Sequence, residues 1–213
     1  MTKPVLYDYW RSSASYRVRI ALNLLKLDYE AVPVDLLAGE HKSQAHLARN
    51  PQGFVPALEI DGLMLTQSLA IIEYLDETRA GSLMPDRPAE RARARMLAFA
   101  IAMEIHPVCN SSVAAHILEL SGGDEKERIA WMRHYIGRGL VAFDALLAQQ
   151  DEAPFCCGER PGIADCCLIP QLYNAERWGA DVSGLSCINR IAGNCHELES
   201  FIAAHPDRSR PPD

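Results

Sequence analysis

The chain has 213 residues, a formal net charge of −7 and 48% hydrophobic residues, which is enough apolar material for one large or two small domains with buried cores. The negative charge argues against nucleic acid and anionic membranes as partners, because no basic stripe is available to neutralise phosphates. No apolar run approaches the roughly 18 to 20 residues that span a membrane, and no targeting segment is visible, so a cytoplasmic location is expected.

The first predicted elements are a strand over residues 4–9 and a helix whose apolar spacing begins at Val18. Ser12, Ser13 and Ser15 therefore lie where the helix starts. Unpaired backbone N–H groups and the positive end of the helix dipole favour an anion at such a place. One serine could serve only as the helix cap, but three hydroxyls flanked by arginines exceed what a cap requires.

A β-hairpin is predicted further along the chain, with strands over residues 57–60 and 63–66 joined by an Asp61-Gly62 turn. It follows the segment Asn50-Pro51-Gln52-Gly53-Phe54-Val55-Pro56, and Gln67-Ser68 opens the next helix. Glycine and prolines then interrupt the helical pattern over residues 80–88. This interruption predicts a seam between two parts of the chain.

The part of the chain that follows the seam is predicted to be helical. The predicted helices are residues 89–119, a helix that begins at Asp124 and carries a stripe of Ile129, Met132, Ile136, Leu140, Phe143 and Leu147, residues 163–174, and residues 186–204. Pro107 must kink the first of these or start a new segment. The tail, residues 206–213, is expected to be mobile.

Seven cysteines occur, including the adjacent pairs Cys156-Cys157 and Cys166-Cys167, with no Cys-x-x-Cys spacing. An odd number without a secretion signal is typical of reduced thiols. Neighbouring cysteines cannot readily face one tetrahedral ion, so no metal is expected. Cys166 and Cys167 are instead predicted to pack in a core helix.

The order strand, helix, strand, helix, hairpin, helix resembles the thioredoxin-like domain of glutathione transferases. The run from Ser12 to Leu22 is similar to the zeta class of that family, and the likeness covers nearly the whole chain. Further matches are Gln67 to Leu75, Ile105-His106-Pro107 with Asn110, Ala164-Asp165 through Pro170-Gln171, and Asn174-Ala175-Glu176-Arg177. The resemblance implies the glutathione transferase fold, an α/β thioredoxin-like glutathione-binding domain followed by an all-helical substrate-binding domain. The implied boundaries are residues 1–80 and 89–213, with a linker over residues 81–88.

Two positions depart from the family pattern. Ala14 stands where many zeta members have Cys, which removes a thiol beside the site but leaves the serines. Gly162 stands where the family usually has a Ser or Thr that caps the core helix. Glycine is a tolerated N-cap that costs a few tenths of a kcal/mol, so only a modest loss of stability is expected.

The resemblance implies that the serines at the first helix activate the thiol of glutathione. Ser13 is assigned to donate a hydrogen bond to sulfur, with Ser12 and Ser15 as alternates. The Val55-Pro56 bond is implied to be cis, with the backbone of Val55 pairing with the cysteinyl part of glutathione.

The remaining site residues are also implied by the resemblance. They are Gln67 and Ser68 at the γ-glutamyl end of glutathione; His41, with Lys42 beside it, at the glycine carboxylate; His106, Asn110 and Ser112 near glutathione and substrate; and Arg11, Arg17 and Arg177 on the substrate carboxylates. Some have other interpretations: His106 could satisfy a helix break before Pro107, and Arg177 could pair with a surface acid. Arg19 and Arg17 must diverge on their helix, and Arg19 is predicted to be structural.

The best known activity of the zeta class is the isomerisation of maleylacetoacetate, a diketo diacid, through addition of a thiolate, bond rotation and elimination. Inside a negatively charged molecule, particular arginines must supply the positive pocket for such a substrate. Maleylpyruvate is an alternative substrate, but relatives that favour it carry an extra Arg where this chain has Ser112. Transfer of glutathione to small α-halo acids and a non-enzymatic assembly role are further alternatives. A homodimer is the family expectation.

Overall fold

The computed structural model describes residues 3–79 and 81–210. Its strands are Val5–Asp8 (β1), Glu30–Pro33 (β2), Ala57–Ile60 (β3) and Leu63–Thr66 (β4). Its α-helices are Ser13–Leu24 (α1), Gln44–Arg49 (α2), Ser68–Thr78 (α3), Pro88–Phe99 (α4), Ser111–Leu120 (α5), Glu125–Leu147 (α6), Ile163–Trp178 (α7), Ser186–His196 (α8), Glu199–Ala204 (α9) and Pro206–Ser209 (α10). A 3₁₀ turn, Glu40–Lys42, precedes α2, and a π-helical stretch, Ala100–Ile105, follows α4.

The four strands form one sheet in the order β2-β1-β3-β4. β1 and β2 are parallel, and the helix α1 between them makes the crossover that parallel neighbours require. The hairpin β3–β4 adds antiparallel to β1. Its turn residues, Asp61 and Gly62, both have positive φ, at 53° and 78°, the combination that suits a tight hairpin. The predicted element order and hairpin are confirmed.

The chain divides into two compact units, residues 1–84 together with 196–213, and residues 85–195. In the first unit, helices α1 and α3 pack together, and α9 packs on α1. The predicted helical domain, residues 89–213, includes residues 196–213, which here pack with the first unit. The domain boundaries themselves stay a prediction. Ala80, at the predicted boundary, lies outside the described residues.

In the second unit, the predicted apolar stripe of α6 is confirmed at five of its six positions, whereas Ile129, near the start of the helix, is only half-buried. Met132, Ile136, Leu140, Phe143 and Leu147 are all buried, and Asp124 caps the helix by accepting a hydrogen bond from the backbone of Lys126 at 2.8 Å. The predicted interruption at Pro107 is also confirmed, because helix geometry ends at Ile105 and resumes at Ser111.

Helix α7 is the buried helix of the second unit and runs to Trp178, four residues beyond the predicted end. Its N-cap is Gly162, which has no side chain, so the cap consists of the Asp165 carboxylate accepting from the Gly162 and Cys156 backbone N–H groups at 2.9 Å each. Burial raises the pKa of Asp165, and these two backbone hydrogen bonds oppose the rise. A single buried carboxylate therefore fixes the loop that leads into α7.

The C-terminal region differs from its prediction in two ways. The helix expected over residues 186–204 is two helices, α8 and α9, because the chain breaks helix geometry after His196 and restarts at Glu199. Part of the tail expected to be mobile forms α10, whose Pro206 is buried. Residues 211–213 of that tail lie outside the described residues.

All seven cysteines are free thiols, as predicted, and Cys166 and Cys167 are completely buried in α7. Within residues 3–79 and 81–210, no group of three or more His, Cys, Asp or Glu side chains is arranged to hold a metal ion. In the same residues, no helix combines the length and the apolar character that crossing a membrane requires.

Candidate active site

The start of helix α1 separates the three candidate serines by role. Ser12 is the N-cap, and its Oγ accepts a hydrogen bond from the backbone N–H of Ser15 at 3.2 Å. Ser13 is the first residue of the helix and is 8% exposed. Ser15 is completely buried, and its Oγ has no hydrogen-bond partner among the described residues. Because Ser12 supplies the cap, the cap does not account for Ser13.

The electrostatics of this helix end favour an anion. The first turn of α1 contains no acidic side chain, so its backbone N–H groups and the positive end of its dipole are not neutralised locally. Arg11 lies just before it, with its guanidinium 4.9 Å from the Trp10 ring centroid and its Nη2 donating to the Tyr9 hydroxyl at 2.9 Å. These contacts hold a positive charge close to the helix start.

Arg17 and Arg19 are both buried on α1 but face different partners. Arg17 is 2% exposed, and its Nη1 donates to Ser68 Oγ at 3.3 Å. Arg19 binds both carboxylate oxygens of Asp8, at 2.9 and 2.8 Å. The structural role predicted for Arg19 is confirmed, whereas Arg17 lies against a residue assigned to glutathione.

The loop before β3 carries the Val55-Pro56 bond, which is cis as the resemblance implies. Two buried side chains donate to the carbonyl oxygen of the preceding residue, Phe54: His46 Nε2 and Asn50 Nδ2, each at 2.9 Å. Because a carbonyl only accepts, Nε2 of His46 carries the proton. These contacts orient the peptide group that leads into Val55.

His46 and Asn50 support this site, although the sequence predicted neither role. Asn50 lies in the Asn-Pro-Gln-Gly segment, and this turn composition was the available signal. His46, inside helix α2 and 1% exposed, has no local signature, because its partner is eight residues away.

The start of helix α3 is the second candidate contact region. Gln67, the N-cap, has a φ of 67°, a left-handed conformation that costs a non-glycine residue energy and that clusters at ligand sites. Its Nε2 donates to Gln52 Oε1 at 2.8 Å. Ser68, 6% exposed, is the first helical residue. In the described part of the chain, its hydroxyl accepts from Arg17 and donates to no group.

His41 lies in the 3₁₀ turn before α2. Partial burial, with smaller contributions from the charges of Lys42 and His46, lowers the pKa of His41 below its ordinary value, which favours the neutral form of the ring. Its Nδ1 is buried and has no hydrogen-bond partner among the described residues. A neutral ring offers one N–H donor, and the adjacent exposed Lys42 supplies the positive charge.

The other four candidates belong to the second unit. His106 ends the π-helical stretch, Asn110 is the N-cap position of α5 without a side-chain cap bond, and Ser112 is exposed in the first turn of α5. Arg177 is exposed in the last turn of α7, with its guanidinium 5.9 Å from the Tyr173 ring centroid. It lines a cleft of about 330 Å³ together with Arg128 and Arg133.

The structure therefore brings the candidates together in two groups. The first unit holds Arg11, Ser12, Ser13, Ser15, Arg17, His41, Val55, Gln67 and Ser68, and the second unit holds His106, Asn110, Ser112 and Arg177. Within the first unit, α1 and α3 are in direct contact through Arg17 and Ser68. Two helix starts with hydroxyl residues, together with Gln67 in its left-handed conformation, form a set of groups suited to an anionic ligand.

Comparison with known proteins identifies the family of this chain. Residues 4–77 match the glutathione S-transferase N-terminal domain, and residues 129–207 match the C-terminal domain. A maleylacetoacetate isomerase from Rhizobium meliloti is 55% identical over 208 residues, which cover 97% of this chain and 98% of the relative.

Solved structures with a similar fold belong to the same family. A maleyl pyruvate isomerase, a bacterial glutathione S-transferase of the zeta class, has a TM-score of 0.93 at 38% identity, covering 98% of this chain and 99% of its own. A maleylacetoacetate isomerase from Methylobacterium extorquens, solved with bound malonate and glutathione, has a TM-score of 0.92 at 40% identity and covers 97% and 98%. The chain belongs to the zeta class of the glutathione S-transferase family.

Proposed function

We propose that this protein is a glutathione-dependent isomerase that converts maleylacetoacetate to fumarylacetoacetate. The observation that carries the proposal is the division of roles at α1, where Ser12 caps the helix and Ser13 stands at its anion-binding end. The names of full-length relatives, such as the 55% identical isomerase, support the same activity.

Bound glutathione supplies a thiolate that adds to the conjugated double bond, lets the resulting single bond turn, and leaves. A free cysteine thiol titrates near pH 8.5, so only a few per cent is ionised at pH 7. Ser13 donates a hydrogen bond to the sulfur, and the dipole of α1 favours its negative charge. Each unit of pKa depression corresponds to about 1.4 kcal/mol.

The residues of the first unit fit the rest of glutathione. Ser68 has a hydroxyl hydrogen that no described residue accepts, which suits the γ-glutamyl carboxylate beside Gln67. The backbone of Val55, whose preceding carbonyl is fixed by two donors, pairs with the cysteinyl part. His41 and Lys42 face the glycine carboxylate.

Arg177 and Arg11 bind the substrate carboxylates in this proposal. Arg177 is exposed at its helix end, and Arg11 is held by aromatic contacts, so each presents a guanidinium that matches a carboxylate bidentately. His106, Asn110 and Ser112 supply polar contacts to glutathione and to the substrate. Hydrogen-bond donors near the substrate carbonyl stabilise the negative charge that develops there.

Maleylpyruvate is the second candidate substrate. The observation that favours it is the likeness to a maleyl pyruvate isomerase at a TM-score of 0.93. Relatives that favour maleylpyruvate carry an additional arginine at the position of Ser112, where it can bind a carboxylate. Ser112 supplies no positive charge, and this difference favours maleylacetoacetate. Both substrates require the same chemistry at sulfur.

The proposal includes a homodimer that acts in the cytoplasm. The family expectation supports the dimer, and so does the edge strand β4, whose Leu63 and Met64 are 46% and 37% exposed. Light scattering coupled to size-exclusion chromatography measures the mass directly. A monomer at micromolar concentration would overturn this part of the proposal.

The deciding assay follows the ultraviolet absorbance of maleylacetoacetate, coupled to fumarylacetoacetate hydrolase, with and without catalytic glutathione. Turnover many times the amount of glutathione establishes an isomerase that regenerates its thiol. Glutathione binding without turnover would reassign the substrate, with maleylpyruvate tested next. Absence of glutathione binding would revive the non-enzymatic interpretation.

Ser13→Ala and Ser12→Ala form a matched pair for this assay. Ser13→Ala is expected to remove most of kcat and to raise the pKa of bound glutathione, read from thiolate absorbance, with little change in glutathione affinity. Ser12→Ala is expected to keep the thiol pKa and to lose about 1 kcal/mol of stability as a lost cap. Full activity of Ser13→Ala would reassign sulfur activation.

A further inference from the structure

A buried arginine lies directly behind the start of helix α3. Arg17 is 2% exposed, and its Nη1 is 3.3 Å from the Oγ of Ser68, which is 6% exposed. Guanidinium groups only donate hydrogen bonds, so Ser68 Oγ is the acceptor in this contact. The hydroxyl hydrogen of Ser68 is thereby directed away from Arg17, and no group in the described part of the chain accepts it.

The charge at this point favours an anion for two further reasons. A guanidinium carries a positive charge, and the burial of Arg17 weakens the screening of that charge. Helix α3 has 11 residues, no acidic residue in its first turn, and an N-cap, Gln67, that makes no side-chain cap bond. Its first N–H groups and its dipole therefore act in the same direction as Arg17.

We propose that Arg17 is a positioning residue for glutathione rather than a ligand of the substrate. It orients the Ser68 hydroxyl toward the α-carboxylate of the γ-glutamyl group and adds a buried positive charge behind it. The inference rests on the proposed function, because it takes glutathione to bind at Gln67 and Ser68. It moves Arg17 from the substrate carboxylates, where the family resemblance put it, to the other ligand.

The alternative is that Arg17 only joins α1 to α3. A change in ligand separates the two roles, because a structural arginine supports any ligand equally. The probe is 4-aminobutanoyl-cysteinyl-glycine, which is glutathione without the α-carboxylate. Isothermal titration calorimetry gives the ratio of the two dissociation constants for each variant, and this affinity ratio isolates the contribution of the carboxylate.

The variants are Arg17→Met and a matched control, Arg49→Met. Arg49 belongs to the same unit and stacks 4.2 Å from the Tyr7 ring centroid, so its loss removes an equal charge elsewhere. Hydrogen bonds to charged groups contribute about 10- to 100-fold in affinity. The wild-type protein and Arg49→Met are expected to show an affinity ratio in that range, and Arg17→Met a ratio that falls to about threefold or less.

An unchanged ratio in Arg17→Met, whatever its glutathione affinity, would overturn the inference and leave Arg17 structural. Circular dichroism verifies folding, and if Arg17→Met does not fold, Arg17→Gln repeats the test with a neutral donor. The same fall in ratio then supports the inference, and a wild-type ratio overturns it. Failure of the wild-type protein to bind glutathione would instead overturn the proposed function itself.

Discussion

The buried ion pair between Arg19 and Asp8 predicts a large loss of stability when one partner is removed. The two side chains are 1% and 6% exposed. Arg19 also donates from Nε to the Ala204 carbonyl at 3.0 Å and from Nη2 to the Trp10 carbonyl at 2.9 Å. One guanidinium thus joins strand β1, helix α1 and helix α9.

Arg19→Met leaves the Asp8 carboxylate buried without its counter-charge. Removing one partner of such a pair costs about 3–5 kcal/mol, a large part of a free energy of unfolding of about 5–15 kcal/mol. For a chain of this size, each kcal/mol lowers Tm by about 2–4 °C. The expected decrease in Tm is therefore roughly 6–20 °C.

Urea and thermal unfolding followed by circular dichroism measure the loss. The double variant Asp8→Asn/Arg19→Met is the control, because it removes the stranded charge and should recover at least about half of the loss. The electrostatic reasoning fails if Arg19→Met lies within about 1 kcal/mol of wild type. It also fails if the double variant is as unstable as the single one.

Two further predictions concern glycine packing and thiol reactivity. Gly137→Ala in helix α6 should stabilise the folded protein by about 0.5–1 kcal/mol, since the added Cβ meets no atom within 4 Å. Gly139→Ala should destabilise it by about 1–3 kcal/mol, because the added Cβ overlaps the Ile105 side chain. Urea midpoints that shift in the same direction for both variants would contradict this. Burial raises the pKa of Cys157 to about 12, leaving about one thiolate in ten thousand at pH 8. Iodoacetamide is therefore expected to modify the partly exposed Cys187 first, and peptide masses showing Cys157 modified earlier would refute the argument.

Local signals in the sequence determined much of the first unit. The Asp61-Gly62 turn was predictable because only a few residue types adopt positive φ at both turn positions. The start of α1 at the run of serines was predictable, because the unpaired N–H groups at a helix start favour hydroxyl side chains. The family motifs added the cis Val55-Pro56 bond, which no local pattern specifies.

The tertiary structure decided the roles that depend on contacts between distant residues. Ser12 became the cap and Ser15 was buried, a distinction that three neighbouring hydroxyls do not reveal in sequence. Arg17 met Ser68, which is 51 residues away, and Asn50 joined His46 on a single carbonyl oxygen. Such pairings follow from packing, since a side chain's residue type does not identify its partner.

Residues 186–204 show most clearly the difference between what the sequence predicts and what the tertiary structure decides. Apolar spacing over residues 186–204 continues across the break between α8 and α9, so periodicity alone predicts a single helix. Helix α9 instead packs on α1, and the bond from Arg19 to the Ala204 carbonyl joins residues 185 positions apart. Periodicity records which side of a helix is apolar, whereas only the folded chain determines which surface covers it.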